Sequence, residues 1–506
     1  MTGKYRIMLA GALAALLMTG CGLTSPASAE SAAAETATAL SAALEADVSE
    51  RDASGEYDAA EAVTLSPGSD LTITDAGVYL LSGSYEEQMI VIEAGEEDKV
   101  QLVLDNASIS NADGPAIYVR SADKVFLTAA AGTENTISDG SSYSLSDGET
   151  TLDAAVFSKA DLTINGAGKL TINGNYKHAV VSKDDLVVTA KDLSICAKNV
   201  GLNGKDSVTL SEATVSITAG SDGVRSDNGE DAERGYVYVL DSALTITAGK
   251  DGIQAETVFA SENAEISITA GGSASGAYST ESGKGIKAGV SLIMNGGVCS
   301  IDSLDDAIHT NGSLMIGAGS FSLRSGHDGI HADEKAEISG GTLEISAAEG
   351  IEGSYVLISG GEITIQASDD GINAARKSST YAPSVEITGG SISITMGAGD
   401  TDGIDSNGSL IISGGTISIN ANSPFDYDAS ASFTGGTVYV NGQQVSTLTN
   451  QMMGGPGGQG GFGNVPGGGQ GGFPGGQGGF PGGQGGFPGG QGGFPGGQGG
   501  FPGGRP

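Results

Sequence analysis

From about residue 63 the chain alternates apolar and polar positions over three to five residues at a time, as in Leu71-Thr72-Ile73, Val100-Gln101-Leu102-Val103-Leu104 and Val125-Phe126-Leu127, with Gly, Asn and Asp between the runs. A period of two predicts strands, and no stretch sustains the 3.6-residue period of a helix. The runs are themselves periodic. Ile308, Ile330, Ile351 and Ile372 stand 22, 21 and 21 residues apart, and Val180, Leu202 and Val224 stand 22 and 22 apart. Ile253, Ile286 and Ile308 continue the series at intervals of 29, 33 and 22, and Ile404 and Phe425 at 32 and 21, so that the longer intervals are loops on a constant frame. Repeats of this length predict a stacked solenoid.

Within one repeat three short strands can be placed. The first is the phrase Gly329-Ile330-His331-Ala332, the second Ala336-Glu337-Ile338 and the third Leu343-Glu344-Ile345. Ser339-Gly340-Gly341 closes the second strand and returns as Ser359-Gly360-Gly361, Thr388-Gly389-Gly390, Ser413-Gly414-Gly415 and Thr434-Gly435-Gly436. Three strands per coil of about 21–22 residues predict an all-β, three-faced parallel β-helix, with glycine at the corners for turns that need positive φ.

The flanks differ. Residues 1–20 carry Lys4, Arg6 and an apolar run from Ile7 to Met18, which reads as a secretory signal. With Cys21 directly after Thr19-Gly20, it resembles a bacterial lipoprotein signal. This predicts lipidation of Cys21 and an extracellular domain anchored to the cell membrane. Residues 21–62, rich in Ala, Ser, Thr and Glu, are expected to form a flexible linker, residues 63–449 the β-helix, and residues 450–506, a Gly/Pro/Gln/Phe repeat, a disordered tail. The 85 glycines, the absence of Trp and a formal charge of −38 describe an acidic, turn-rich surface. Such a chain excludes a nucleic-acid role, which needs basic patches. Cys196 and Cys299 fall several coils apart, too far for a disulfide, and are expected to be buried small hydrophobes.

The register places chemistry in columns. Two residues before each aliphatic stand Asp222, Asp251, Lys284, Asp306, Asp328, Glu349, Asp370 and Asp402, so five successive coils from Asp306 carry a carboxylate at one corner. Charges about 4.8 Å apart repel by about 1 kcal/mol in water and by more where partly buried. Calcium, which takes six to eight oxygen ligands in irregular geometry, would relieve this. The expected ligands are Asp305, Asp306, Asp328, Glu349, Asp369, Asp370, Asp400, Asp402 and Asp405. Simply solvated acidic turns are the alternative. One residue after each aliphatic stand Arg225, Gln254, Lys287, His309, His331, Glu352, Asn373 and Asp405, an outward ladder that could track a polysaccharide. Three insertions, 226–236, 271–283 and 376–383, are expected to gather at the acidic corner, bringing Tyr236, Tyr278 and Tyr381. Arg225, Lys287, His309, His331, Tyr278 and Tyr381 are the candidate ligand-binding residues, and no catalytic residue is assigned.

The opening phrases Ile73-Thr74-Asp75-Ala76-Gly77-Val78-Tyr79-Leu80-Leu81-Ser82-Gly83, Val103-Leu104-Asp105-Asn106, Asp113-Gly114-Pro115-Ala116-Ile117 and Gly132-Thr133-Glu134-Asn135-Thr136, followed by the Asp-Gly-Ile coils, carry a family resemblance. The chain is similar over roughly residues 63–449 to the bacterial carbohydrate-binding parallel β-helix proteins typified by a clostridial cellulose- and pectin-binding protein. The resemblance implies a right-handed β-helix like that of pectate lyases, calcium held between loops, and binding of cellulose or acidic sugars without established lyase activity. The expectation is a monomeric, calcium-dependent, cell-surface polysaccharide binder. A calcium-dependent pectate-type lyase using Lys287 or Arg225 as base, and a structural or adhesive surface protein, are the alternatives.

Overall fold

The computed structural model describes residues 48–68, 71–144, 151–276, 281–398 and 401–450. The predicted signal, Cys21, most of the predicted linker, Tyr278, Asp400 and the predicted tail from residue 451 onward lie outside the described residues.

The described chain is all-β apart from one helix, α1 (Glu50–Ser54). Each strand pairs in parallel with the strand one coil later, so three ladders run side by side. The first holds Val180, Leu202, Val224, Ile253, Ile286, Ile308, Ile330, Ile351, Ile372, Ile404 and Phe425 in unbroken register, the series read from the sequence. The second stacks Leu292, Leu314, Ala336, Val356, Val385 and Leu410. The third stacks Ile217, Ile246, Ile268, Ile301, Leu323, Ile345 and Ile365. All three columns point inward and are buried into one core. At about 1.5–3 kcal/mol for each fully buried aliphatic, the columns hold the register, because a slip of one residue would turn every one of them to solvent. At the C-terminal end the ladder Thr437–Val440 is closed by an antiparallel strand, Gln443–Val445.

The glycines divide into two kinds. In the Gly-Gly corners the second residue has positive φ, as at Gly341 (91°), Gly361 (90°) and Gly390 (86°), in keeping with a turn. The glycine of the Asp-Gly-Ile phrase is not of this kind. A Cβ on Gly329 would lie 2.3 Å from Ile345 Cγ2, and one on Gly350 would lie 2.3 Å from the Gly371 carbonyl oxygen and 2.5 Å from Ile365 Cγ2. This glycine therefore answers to close packing between the first strand and the third-ladder isoleucine.

Two expectations are corrected. The linker does not extend to residue 62, because Ser49 caps α1 in a capping box with Asp52, and Asp52 is buried against the outer face of the second ladder. The docking uses hydroxyls, amides and one ion pair, so the segment has no apolar period to announce it. Of the two cysteines among the described residues, both free, Cys299 is buried but Cys196 is exposed, because it occupies an outward position of the third ladder beside Thr218.

Candidate functional site

The first ladder alternates Ile inward with its neighbour outward, so the outward residues form a second register as strict as the core. It runs Asn203, Arg225, Gln254, Lys287, His309, His331, Glu352, Asn373, Asp405, Asp426, one residue per coil. The predicted residues Arg225, Lys287, His309 and His331 are thus brought together on one face. Earlier coils extend that column with Tyr118, Phe157 and Val181, so its character passes from apolar through cationic and imidazole to acidic. Tyr381 does not join it. That ring stacks on Tyr355, with centroids 5.7 Å apart, on the outer face of the second ladder.

The corner carboxylates also stack, Asp328 beside Glu349 and Asp370 beside Asp402. They fall into two groups with different electrostatics. In the upper group the chain supplies its own cations. Lys284 Nζ lies 2.6 Å from both Asp305 Oδ2 and Asp306 Oδ2. His309 Nδ1 is 2.8 Å from Asp306 Oδ2, and His327 Nδ1 bridges Asp306 Oδ1 (3.0 Å) and Asp328 Oδ1 (3.1 Å). His331 Nδ1 meets Asp328 Oδ2 at 2.7 Å and Glu352 Oε2 at 2.9 Å, while its Nε2 meets Asp333 Oδ1 at 3.1 Å. An imidazole with carboxylates at both nitrogens donates from both and is therefore an imidazolium. Burial opposes that charge, but hydrogen bonds to Asp328 and Glu352 prevail and push His331 up to about 10. His327, bonded to Asp306 and Asp328, rises to about 11. Burial likewise works against the Asp306 charge, yet His309, His327 and Lys284 hold that carboxyl well below its ordinary range, and His327 and His331 lower that of Asp328. The sequence repeat Asp306-x-x-His309-x-Asn311 and Asp328-x-x-His331-x-Asp333 carried this signal, since the histidine falls three residues after one clamp and two before the next.

The lower group is the reverse. Burial, followed by the charge of Glu352 and Asp328, pushes Glu349 up to about 7 although Asn373 donates to it. Burial, then Asp405, Glu349 and Asp369, pushes Asp370 up to about 7, and burial with Asp426 and Asp402 pushes Asp405 up to about 6. Asn373 Oδ1 and Asp426 Oδ1 are buried oxygens that accept no hydrogen bond. Among the described residues the ligand atoms that converge within 4.8 Å are in the upper group, as at Asp306, His309 and His331 or Asp328, His331 and Glu352, and at Asp161, Asp184 and Asp185. In the upper group Lys284 and the imidazoles already meet the carboxylates. The lower carboxylates are spaced more openly, with Lys377 the cation beside Glu349, and present mainly the oxygen donors that a hard divalent ion takes.

The insertions only partly gather at the corner. Ser282 donates to Asp251 Oδ1 at 2.6 Å, and Lys377 Nζ reaches Glu352 Oε1 at 2.8 Å. Arg234, from the first insertion, instead pairs with Asp206 and Asp184 at the turn between the first and second strands.

A stack of parallel strands presenting one ordered polar face defines an extended binding surface. The chain belongs to the family described as carbohydrate-binding domain-containing protein, whose profile matches residues 67–329 and 325–451. A carbohydrate-binding domain-containing protein of Acetivibrio thermocellus is 31% identical over 129 residues, 25% of this chain and 45% of that relative, so the match spans less than half of the relative's length. A solved structure, titled as the polysaccharide lyase-like protein from C. thermocellum in a gadolinium derivative, is 32% identical with a TM-score of 0.38, covering 43% of this chain and 86% of that one.

Proposed function

We propose that this protein is a calcium-dependent, non-catalytic polysaccharide binder, held as a monomer at the bacterial cell surface by lipid on Cys21, its coils wound right-handed. The observation that carries the reading is the outward column of the first ladder, with one polar side chain per coil over ten coils. Its middle rungs, Arg225, Gln254 and Lys287, offer cationic and amide donors on a chain of charge −38, and acidic sugar units spaced like the coils would meet them in turn. Arg225 is steadied by Asp222 and Asp227, both at 3.4 Å. Arg225 Nε and the buried Asn203 Oδ1 in the preceding coil have no internal partner, as expected where a ligand completes the hydrogen bonding.

Calcium would be held between adjacent coils of the lower group, by Asp370 and Asp402 with Asp405 and Asn373 Oδ1, side chains that would draw together around an ion taking oxygens at about 2.3–2.6 Å. The ion would neutralise this end of the face and could be shared with a uronate carboxylate. Binding is favoured over a lyase activity because the ammonium of Lys284 fills the Asp305 and Asp306 corner, where an ion activating substrate beside Lys287 would have to sit.

Calorimetric titration with an oligogalacturonate tests the proposal. Binding in calcium should weaken sharply in EGTA and in R225A/K287A. Equal affinity in all three conditions would sink it, and sustained release of unsaturated products would replace it with the lyase reading.

A further inference from the structure

The outer face of the second ladder has a polar shelf that is closed over by the chain itself. Thr163, Asn165, Thr128, Thr189 and Gln101 point outward yet are 0–3% exposed, because the strap from Ser49 to Tyr57 lies on them. Their donors converge on two groups of the strap. Lys124 Nζ (2.6 Å) and Thr163 Oγ1 (2.5 Å) meet Asp52 Oδ1. Thr189 Oγ1 (2.6 Å) and Asn165 Nδ2 (3.1 Å) meet the Asp52 carbonyl. Thr128 and Gln101 brace Asn165 and the Glu56 carbonyl from behind. Phe126 lies alongside, covered by the Arg51 guanidinium at 4.4 Å.

A permanently buried seam is more stable when apolar, since a buried ion pair recovers little more than its own desolvation. Here lifting the strap would return Asp52, Lys124 and a set of hydroxyls and amides to water, together with Phe126 and its outward-facing neighbours Val103 and Val187. Such a contact is built to open. What it would expose is one ammonium and one hydroxyl aimed at a carboxylate, further hydroxyl and amide donors two positions along, and one aromatic face. Those are the groups that recognise a carboxylated sugar ring.

We propose that this shelf is a second site for an acidic sugar, masked by the Ser49–Tyr57 strap, with the Asp52 carboxylate standing where the uronate carboxylate would bind. The ligand class is the one inferred for the first ladder, but the site is separate and is tested in protein lacking the first.

In the full-length R225A/K287A background, addition of D52A should create binding of a galacturonate pentamer that a further K124M abolishes. A folded R225A/K287A/D52A protein that binds no pentamer overturns the proposal. Should D52A prevent folding, tryptic cleavage after Arg51 in R225A/K287A decides the matter. Saturating pentamer should speed the cut severalfold by displacing the strap, and an unchanged rate overturns the proposal. Failure of the first-ladder reading would show independently, as wild-type binding indifferent to R225A/K287A.

Discussion

The bare lower carboxylates make a pH dependence that calcium should erase. Glu349 and Asp370 have folded values of about 7, against ordinary values of 4.5 and 3.8. A carboxyl raised by folding favours the folded state while protonated. That contribution is present at low pH and is lost as pH climbs from the ordinary value to the folded one, at up to about 1.4 kcal/mol per pH unit for each group. Between about pH 5 and about pH 6.5 the two groups set a ceiling of about 4 kcal/mol, and their remaining contact with water halves it to about 2 kcal/mol. Asp405 adds in the same direction. The window is otherwise quiet at the corner. His327 and His331, raised to about 11 and about 10, give their full stabilisation below the ordinary histidine value of 6.5, and the depressed Asp306 and Asp328 give theirs well above 3.8. Urea unfolding in EGTA should therefore show the protein about 2 kcal/mol less stable at the upper pH, with the slope flattened in E349Q/D370N. Asp161, raised to about 7 by burial and by Asp185, adds to the loss from another corner, whereas His178, lowered to about 4 by burial, gains stability over the same window and offsets it, so the part of the slope removed by E349Q/D370N is the diagnostic quantity. Saturating calcium should remove the loss, since an ion at one hundred times its dissociation constant stabilises by about 2.7 kcal/mol. A slope untouched by E349Q/D370N would refute the reasoning.

Other perturbations have equally definite outcomes. H331Q removes one of the two cations on the fully buried Asp328 and on the nearly buried Glu352, leaving His327 and Lys377, and should cost about 1.5–3 kcal/mol by urea unfolding. K284M should act in the same sense on Asp305 and Asp306, and calcium should not rescue it, because this corner is built for an ammonium. G350A should cost at least about 1–3 kcal/mol in thermal unfolding, because its Cβ meets a carbonyl and an isoleucine, whereas A307G, at the equivalent position, should stay within about 1 kcal/mol of wild type.

Much of this molecule could be read from residue order because the physics is periodic. Once Ile308, Ile330, Ile351 and Ile372 were recognised as one column, the outward neighbours and corner acids followed, since a strand alternates its faces without exception inside a ladder. Two things were not legible. The sequence count shows that Asp306 and Asp370 hold one position. It does not show that Lys284, His309 and His327 fold onto the first while like charges crowd the second, because that depends on side-chain reach between coils. The docking of Ser49–Tyr57 was also hidden, because its contacts join residues more than a hundred positions apart through single hydrogen bonds and leave no period.

The division of the acidic column changes what the repeat means for binding. A uniform row of carboxylates would repel an anionic polymer along its whole length. The chain instead neutralises the upper carboxylates internally, so that Arg225 and Lys287 sit near balanced charge, and leaves the lower ones bare. A polymer of acidic sugars would meet fixed cations on the rungs at Arg225 and Lys287 and exchangeable cations on the rungs beyond Glu352. Its affinity would then depend on calcium and on chain length together, because only an oligomer long enough to span from Lys287 to Asp405 engages both. That span covers six rungs of the outward column, or about 24 Å at one coil per rung. Affinity for oligogalacturonates should thus gain its calcium dependence only above roughly five sugar units, and a dimer should bind alike in calcium and EGTA. Calcium dependence already complete for the dimer would place the ion and the sugar at a single rung and dismiss the extended register as the binding element.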